Sequence, residues 1–299
     1  MNCHMHPAKI LIGGAFSVVA LLASALVALA QPAPGSARPG GRGGPGEPGA
    51  GDPLVFVVPN RGNGPGPMMA PPLPANAPLP SSDPRNFDGV WFHSGRPVPQ
   101  MVTDMFGYST PYNALGKIVM ARRVKSMRDG TPFINASAKC FPVGQPWNMD
   151  LNMPFHIFQS KDRFDIIFEE YHGFWQIALD PAKAPEAGYM GSSTSHWDGD
   201  TLVVETIGFK EPLWLDVIGT PASKFAKLTS RIRKVKSDKW YLEVVNTVDD
   251  PTYYTRPWSW ARDYDWRPDM ALYRDYNCEL QTGAKDGVDP SLVPEPVDD

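Results

Sequence analysis

Ser193-Thr194-Ser195-His196-Trp197-Asp198-Gly199-Asp200-Thr201-Leu202-Val203-Val204-Glu205-Thr206-Ile207 reads as two strands folded back on each other. Asp198-Gly199, set between Trp197 and Asp200, is a two-residue hairpin signal of the type I′ kind. In the second strand Leu202 and Val204 share one face while Val203 and Glu205 share the other. Apolar residues on both faces near its start predict a central strand, packed on both sides.

Working outward, similar segments recur at 89–92, 153–159, 163–169, 174–179, 227–235, 240–248 and 254–260. Ser160-Lys161-Asp162 and Ser237-Asp238-Lys239 supply further turns. Short strands at a spacing of about ten residues predict a mostly β fold, an antiparallel meander forming a barrel or strongly curved sheet. One N-terminal packing helix is legible at 113–127. Thr110-Pro111 reads as its cap and first-turn proline, Leu115, Ile118 and Val119 as its apolar face, and Asp129-Gly130 as its stop.

The organisation follows from composition. Lys9 precedes an apolar run ending in Ala28-Leu29-Ala30, which reads as a secretory signal over 1–30. An uncleaved anchor is the alternative, because the run is long enough to span a bilayer. With cleavage, no stable membrane span remains, and the expected location is periplasmic or secreted. About half of residues 31–84 are Pro or Gly, which predicts a disordered linker. Within it Leu54-Val55-Phe56-Val57-Val58 reads either as a strand on a sheet edge or as an apolar anchor. The barrel-like domain is expected over 85–282 and a frayed acidic tail over 283–299. The net charge of −4, without a basic run or an RNP-like motif, argues against nucleic acid as a partner.

Past the signal two cysteines remain, Cys140 and Cys278. An even pair in an oxidising compartment predicts a disulfide; two buried thiols are the alternative. No metal site is expected, since no three ligands stand at a recognised spacing, and no P-loop, dinucleotide or nucleophile-elbow motif calls for a cofactor.

The acid–base candidates lie at strand ends: Glu169, His172, Asp216 and Asp249. Glu169 and His172 flank the bend Tyr171-His172-Gly173, where a carboxylate beside an imidazole could move protons or could simply be a solvated pair. The ligand-binding candidates are Ser230, Asn246, Trp214, Trp258 and Arg256. Period two turns Ser230 and Asn246 inward within apolar rows, and counting from Asp238 sets them opposite each other, so they bond either each other or a ligand. The tryptophans at strand ends line a cavity mouth or plug the barrel's ends.

The stretch from Met190 to Phe209, with its Trp197-Asp198-Gly199-Asp200-Thr201-Leu202-Val203-Val204 core, resembles the signature of an uncharacterised family of exported bacterial proteins. The resemblance takes in Asp88 to Trp91, Cys140-Phe141-Pro142, Trp214-Leu215-Asp216, Val248 to Pro251 and Tyr273 to Cys278, and it implies no activity. The chain departs from the family's His and Glu positions at Ser192, Thr220, Ala222, Ser230, Glu279 and Leu280. If those positions form a metal or acid–base site in the family, it is lost here. Only Asp216, Arg231, Asp249 and Asp250 carry over.

Two readings of function follow. One is an exported domain binding a small apolar or aromatic molecule in a β-barrel cavity. The other is a cofactor-independent lyase, isomerase or hydrolase using Asp, Glu or His in that cavity.

Overall fold

Along Lys227–Lys236 the side chains of Leu228, Ser230, Ile232 and Lys234 are buried, and along Trp240–Asp249 those of Leu242, Val244, Asn246 and Val248. This alternation, repeated strand after strand, closes the sheet on itself. The computed structural model describes residues 52–56, 71–95, 98–272, 278 and 292–296. The expected signal sequence, the rest of the linker and most of the tail lie outside the described residues.

In chain order the elements are β1 (Gly89–His93), α1 (Ala114–Arg128), β2 (Phe155–Gln159), β3 (Arg163–Phe168), β4 (Phe174–Ala178), β5 (Ser192–Asp198), β6 (Thr201–Ile207), β7 (Leu213–Trp214), β8 (Pro221–Ala222), β9 (Lys227–Lys236), β10 (Trp240–Asp249) and β11 (Trp258–Trp266). Among the described residues the fold is mostly β with one α-helix. The barrel order is β1-β11-β10-β9-β6-β5-β4-β3-β2, and β7 and β8 form a separate small sheet. All barrel neighbours are antiparallel except β4 and β5, which run parallel over Ile177↔Ser193 and Ala178↔Thr194. The expected meander is therefore broken once.

Trp91, Phe155, Phe164, Trp175, Leu202 and Tyr264 belong to one core inside the barrel. Val124, Leu228, Val248, Trp258 and Trp260 belong to a second, which takes in the helix. At the closing seam β1 meets β11, and Gly89 has a φ of +126° with Trp266 pressed so close that a Cβ would lie 2.2 Å from the ring. Glycine is required there by both conformation and space.

Several local expectations shift. The hairpin pairs Asp198 with Thr201, so the loop is Gly199-Asp200. Of these two Gly199 alone has a positive φ, which excludes type I′. The helix is capped by Asn113, whose side chain accepts from Gly116 N at 2.9 Å, while the Thr110 hydroxyl donates to Met101 O. Its buried face is Gly116, Val119, Met120 and Arg123 rather than Leu115 and Ile118, which are exposed. The cause is Gly116, which lets the Tyr253 carbonyl approach where a Cβ would clash. The strand expected at 254–260 starts and ends later, because Asp250 organises a turn through Tyr254.

Cys140 and Cys278 are disulfide-bonded, with Cα atoms 5.6 Å apart. Two stretches outside the expected domain are docked. Leu54 and Phe56 pack on the second core, and Gln100 holds their backbone through Leu54 O and Phe56 N. They form no strand. In the tail, Val293 exchanges backbone hydrogen bonds with Pro132 and Ile134, and Glu295 pairs with Arg123 at 2.9 Å. Residues 71–86 also meet the barrel: Trp266 Nε1 donates to Pro78 O, and Lys234 Nζ donates to the carbonyls of Ser81, Asp83 and Asn86. Among the described residues no helix is long and apolar enough to cross a membrane.

Candidate functional site

The inward positions of β11 run Trp258, Trp260, Arg262, Tyr264. The first two and the last are apolar rings, so the third carries a charge into a packed interior. Burying a lone guanidinium is prohibitively costly, and the partner arrives from a loop. The short 3-10 turn Trp147–Asp150 is buried throughout. It delivers Asp150, whose two oxygens each lie 3.1 Å from Arg262 Nε. Tyr264 OH donates to the same carboxylate at 3.4 Å. His93 Nε2 stands 4.0 Å from Asp150 Oδ1, beyond hydrogen-bonding distance. Its ring lies against Tyr264.

Electrostatics in this group follow from burial. Burial pushes the Asp150 carboxyl up, against the pull of Arg262 and His93. Burial pushes the His93 imidazole down, against Asp150. Burial thus disfavours the charged form of both groups, while the Arg262 guanidinium favours the carboxylate form of Asp150.

The barrel wall is incomplete beside this group. The β1–β11 ladder ends at His93↔Tyr264, followed by one bond from Ser94 N to Asp263 O. Among the described residues the next backbone bond to β11 on this side comes from Met105, whose N–H donates to Ser259 O. Between these two bonds opens a cleft of about 370 Å³, with Trp260 and Arg262 on one side and Val98, Met101, Val102 and Met105 on the other. Asp104 also lines it and is pinned by Arg256 at 3.1 Å. Trp260 Nε1 and Arg262 Nη2 are buried donors with no hydrogen-bond partner among the described residues, as is Trp258 Nε1 further along the row.

The residues expected at a site are dispersed. Ser230 Oγ donates to Asn246 Oδ1 at 2.6 Å, directly across β9 and β10, and both are buried. This is a closed structural pair. Trp214 stacks on Trp147, and the Arg123 guanidinium lies over its ring, 4.8 Å from the centroid. Trp214 is buried in a small core with Phe133 and Val143. Trp258 is fully buried beside Trp260. Arg256 alone of the five reaches the cleft, through Asp104.

Of the acid–base candidates, Glu169 is buried rather than solvated, and the His172 side chain lies outside the described part. Asp216 accepts from the backbone N–H groups of Met101, Ile218, Gly219 and Thr220, which makes it a loop organiser. Asp249 is exposed at the end of β10. Asp250 holds Ser223 in the same structural manner, and Arg231 pairs with Asp198 at the surface. Among the described residues no three His, Cys, Asp or Glu side chains gather as a metal ligand set.

Sequence reading missed Asp150, Arg262, His93 and Tyr264. Extending the period from Trp258 and Trp260 reaches Arg262 and Tyr264, and Trp91 likewise reaches His93. Asp150 carries no signal, because irregular chain places it. No family model matches the chain, and no curated protein matches it.

Proposed function

We propose that the protein is an exported binding protein whose site is the lateral cleft over Trp260 and Arg262. It takes a small apolar or aromatic molecule carrying a hydrogen-bond acceptor. The reading rests on one observation: two buried donors, Trp260 Nε1 and Arg262 Nη2, have no hydrogen-bond partner among the described residues, and both residues line a cleft of mixed polar and apolar character. An unsatisfied buried donor costs roughly 1–3 kcal/mol, which a bound acceptor recovers. Because Asp150 already balances the Arg262 charge, a neutral carbonyl suits the site better than an acid. The volume lies within the usual range for small ligands. Export is supported by the apolar N-terminal run and the disulfide.

The test is calorimetric titration with acetophenone, a neutral aromatic ketone. Binding should weaken about tenfold in Trp260→Phe and in Arg262→Lys, each of which removes a donor and keeps bulk or charge. Wild-type affinity in both variants would overturn the proposal.

A second reading, proton transfer catalysis, is favoured by the burial of His93 and Asp150 side by side, 4.0 Å apart. It requires a turnover that Asp150→Asn abolishes while ligand affinity persists.

A further inference from the structure

A second cleft lies where residues 71–79 cross the barrel. It measures about 470 Å³ and is bounded by Leu73 and Leu79 of the docked segment and by Trp240 and Trp266 of the barrel. Trp266 has its N–H committed to Pro78 O, so the indole offers the cleft only ring surface. Lys236, Lys239 and Arg267 bring positive charge to the lining, and Asp238 and Asp265 bring negative charge.

Most of these charges cancel locally. Lys239 pairs with Asp265 at 2.6 Å and Arg267 with Asp269 at 2.7 Å, while Asp238 accepts from the neutral Tyr241 hydroxyl, which leaves its negative charge uncancelled. Lys236 has no carboxylate in ion-pair distance among the described residues. Its ammonium stands over the Trp240 ring at 5.4 Å. Lys234, bonded only to neutral carbonyls, also stands over Trp240 at 5.5 Å, so two unpaired cations at that ring outweigh the one uncancelled carboxylate, Asp238. A largely apolar cleft walled by two indoles then suits a flat ring bearing a negative charge.

We propose that this cleft is a second binding site, for an aromatic anion of the carboxylate or sulfonate class. The ring lies between Trp240, Trp266 and the Leu73–Leu79 wall, and the anionic group faces Lys236. The wall is borrowed from the Pro-rich segment, so the site exists only while that segment is docked. Lys234, with three carbonyls of residues 81–86 on its ammonium, is the positioning residue for the wall. The site differs from the lateral cleft in ligand charge and in every residue that the argument uses.

The probe is 2-naphthoate, titrated by calorimetry into the full chain at low salt, with circular dichroism checking the fold of each variant. One saturable site is expected. Lys236→Gln and Trp240→Ala should each weaken it about tenfold, the first losing its salt dependence as well. Lys234→Met should weaken it too, together with faster proteolysis between residues 71 and 86. Absence of saturable binding overturns the proposal. So does wild-type affinity in both Lys236→Gln and Trp240→Ala. Displacement of 2-naphthoate by acetophenone would put both probes in the lateral cleft and likewise overturn it. Failure of acetophenone to bind bears on the lateral cleft alone.

Discussion

Ser230 and Asn246 face each other across β9 and β10 and close a 2.6 Å hydrogen bond inside the barrel. Each side chain solves the other's burial. Ser230→Ala should cost about 1–3 kcal/mol, since it strands the Asn246 carbonyl oxygen. The double variant Ser230→Ala, Asn246→Val removes both polar groups and should cost clearly less than the two single changes added together. Urea unfolding of the four proteins measures this coupling. Additive losses would mean that the pair has no mutual energy.

The Cys140–Cys278 bond joins residues 138 apart in sequence. In the chain-entropy model closing so long a loop contributes about 4–5 kcal/mol. Replacing both cysteines by serine should lower the unfolding free energy by several kcal/mol without changing the barrel's circular dichroism. Mass analysis before and after reduction reports the bond itself.

His93 should make stability sensitive to mild acid. Burial depresses its folded-state pKa below the ordinary 6.5, outweighing Asp150. As pH falls below that value the unfolded chain takes up the proton first. The stability His93 contributes is therefore complete above about 6.5 and is lost as pH drops toward the folded value. Arg262, the other charge facing it, opposes protonation as well. Urea unfolding between about pH 7 and 5 should show a shallower loss in His93→Gln than in wild type. An equal slope would exclude the imidazole as its source.

Gly89→Ala should destabilise by about 1–3 kcal/mol, because its Cβ would enter the Trp266 ring and its φ disfavours L residues. Thermal unfolding measures the loss. Trp266→Phe in the same chain should restore part of it by making room.

The barrel was legible because its strands alternate. The row Leu242, Val244, Asn246, Val248 and its partner Leu228, Ser230, Ile232 gave strand, face and register from period two alone. The parallel β4–β5 seam was not legible, since the connection between them has no pattern that encodes direction. The site was less so. Strand-end residues such as Asp216 looked chemical but are consumed by backbone N–H groups. The charged group that does sit beside a cleft joins Arg262, which follows a hydrophobic row that appeared to end, to Asp150, which follows no pattern. Short polar runs announce turns, whereas a buried ion pair depends on tertiary structure that local sequence does not encode.

β1 lies between β2 and β11, so Trp91 has Phe155 opposite on one side and Trp266 on the other. The first strand of the wall and the last are neighbours. A chain that emerges N-terminus first carries β1 with one edge unpaired until nearly the whole domain has followed. Closure is then a late event between distant parts of the chain, slow by its topology, and the waiting edge is open to wrong partners. A helper that shields β1 during delivery would raise the yield of folded protein without touching its final stability.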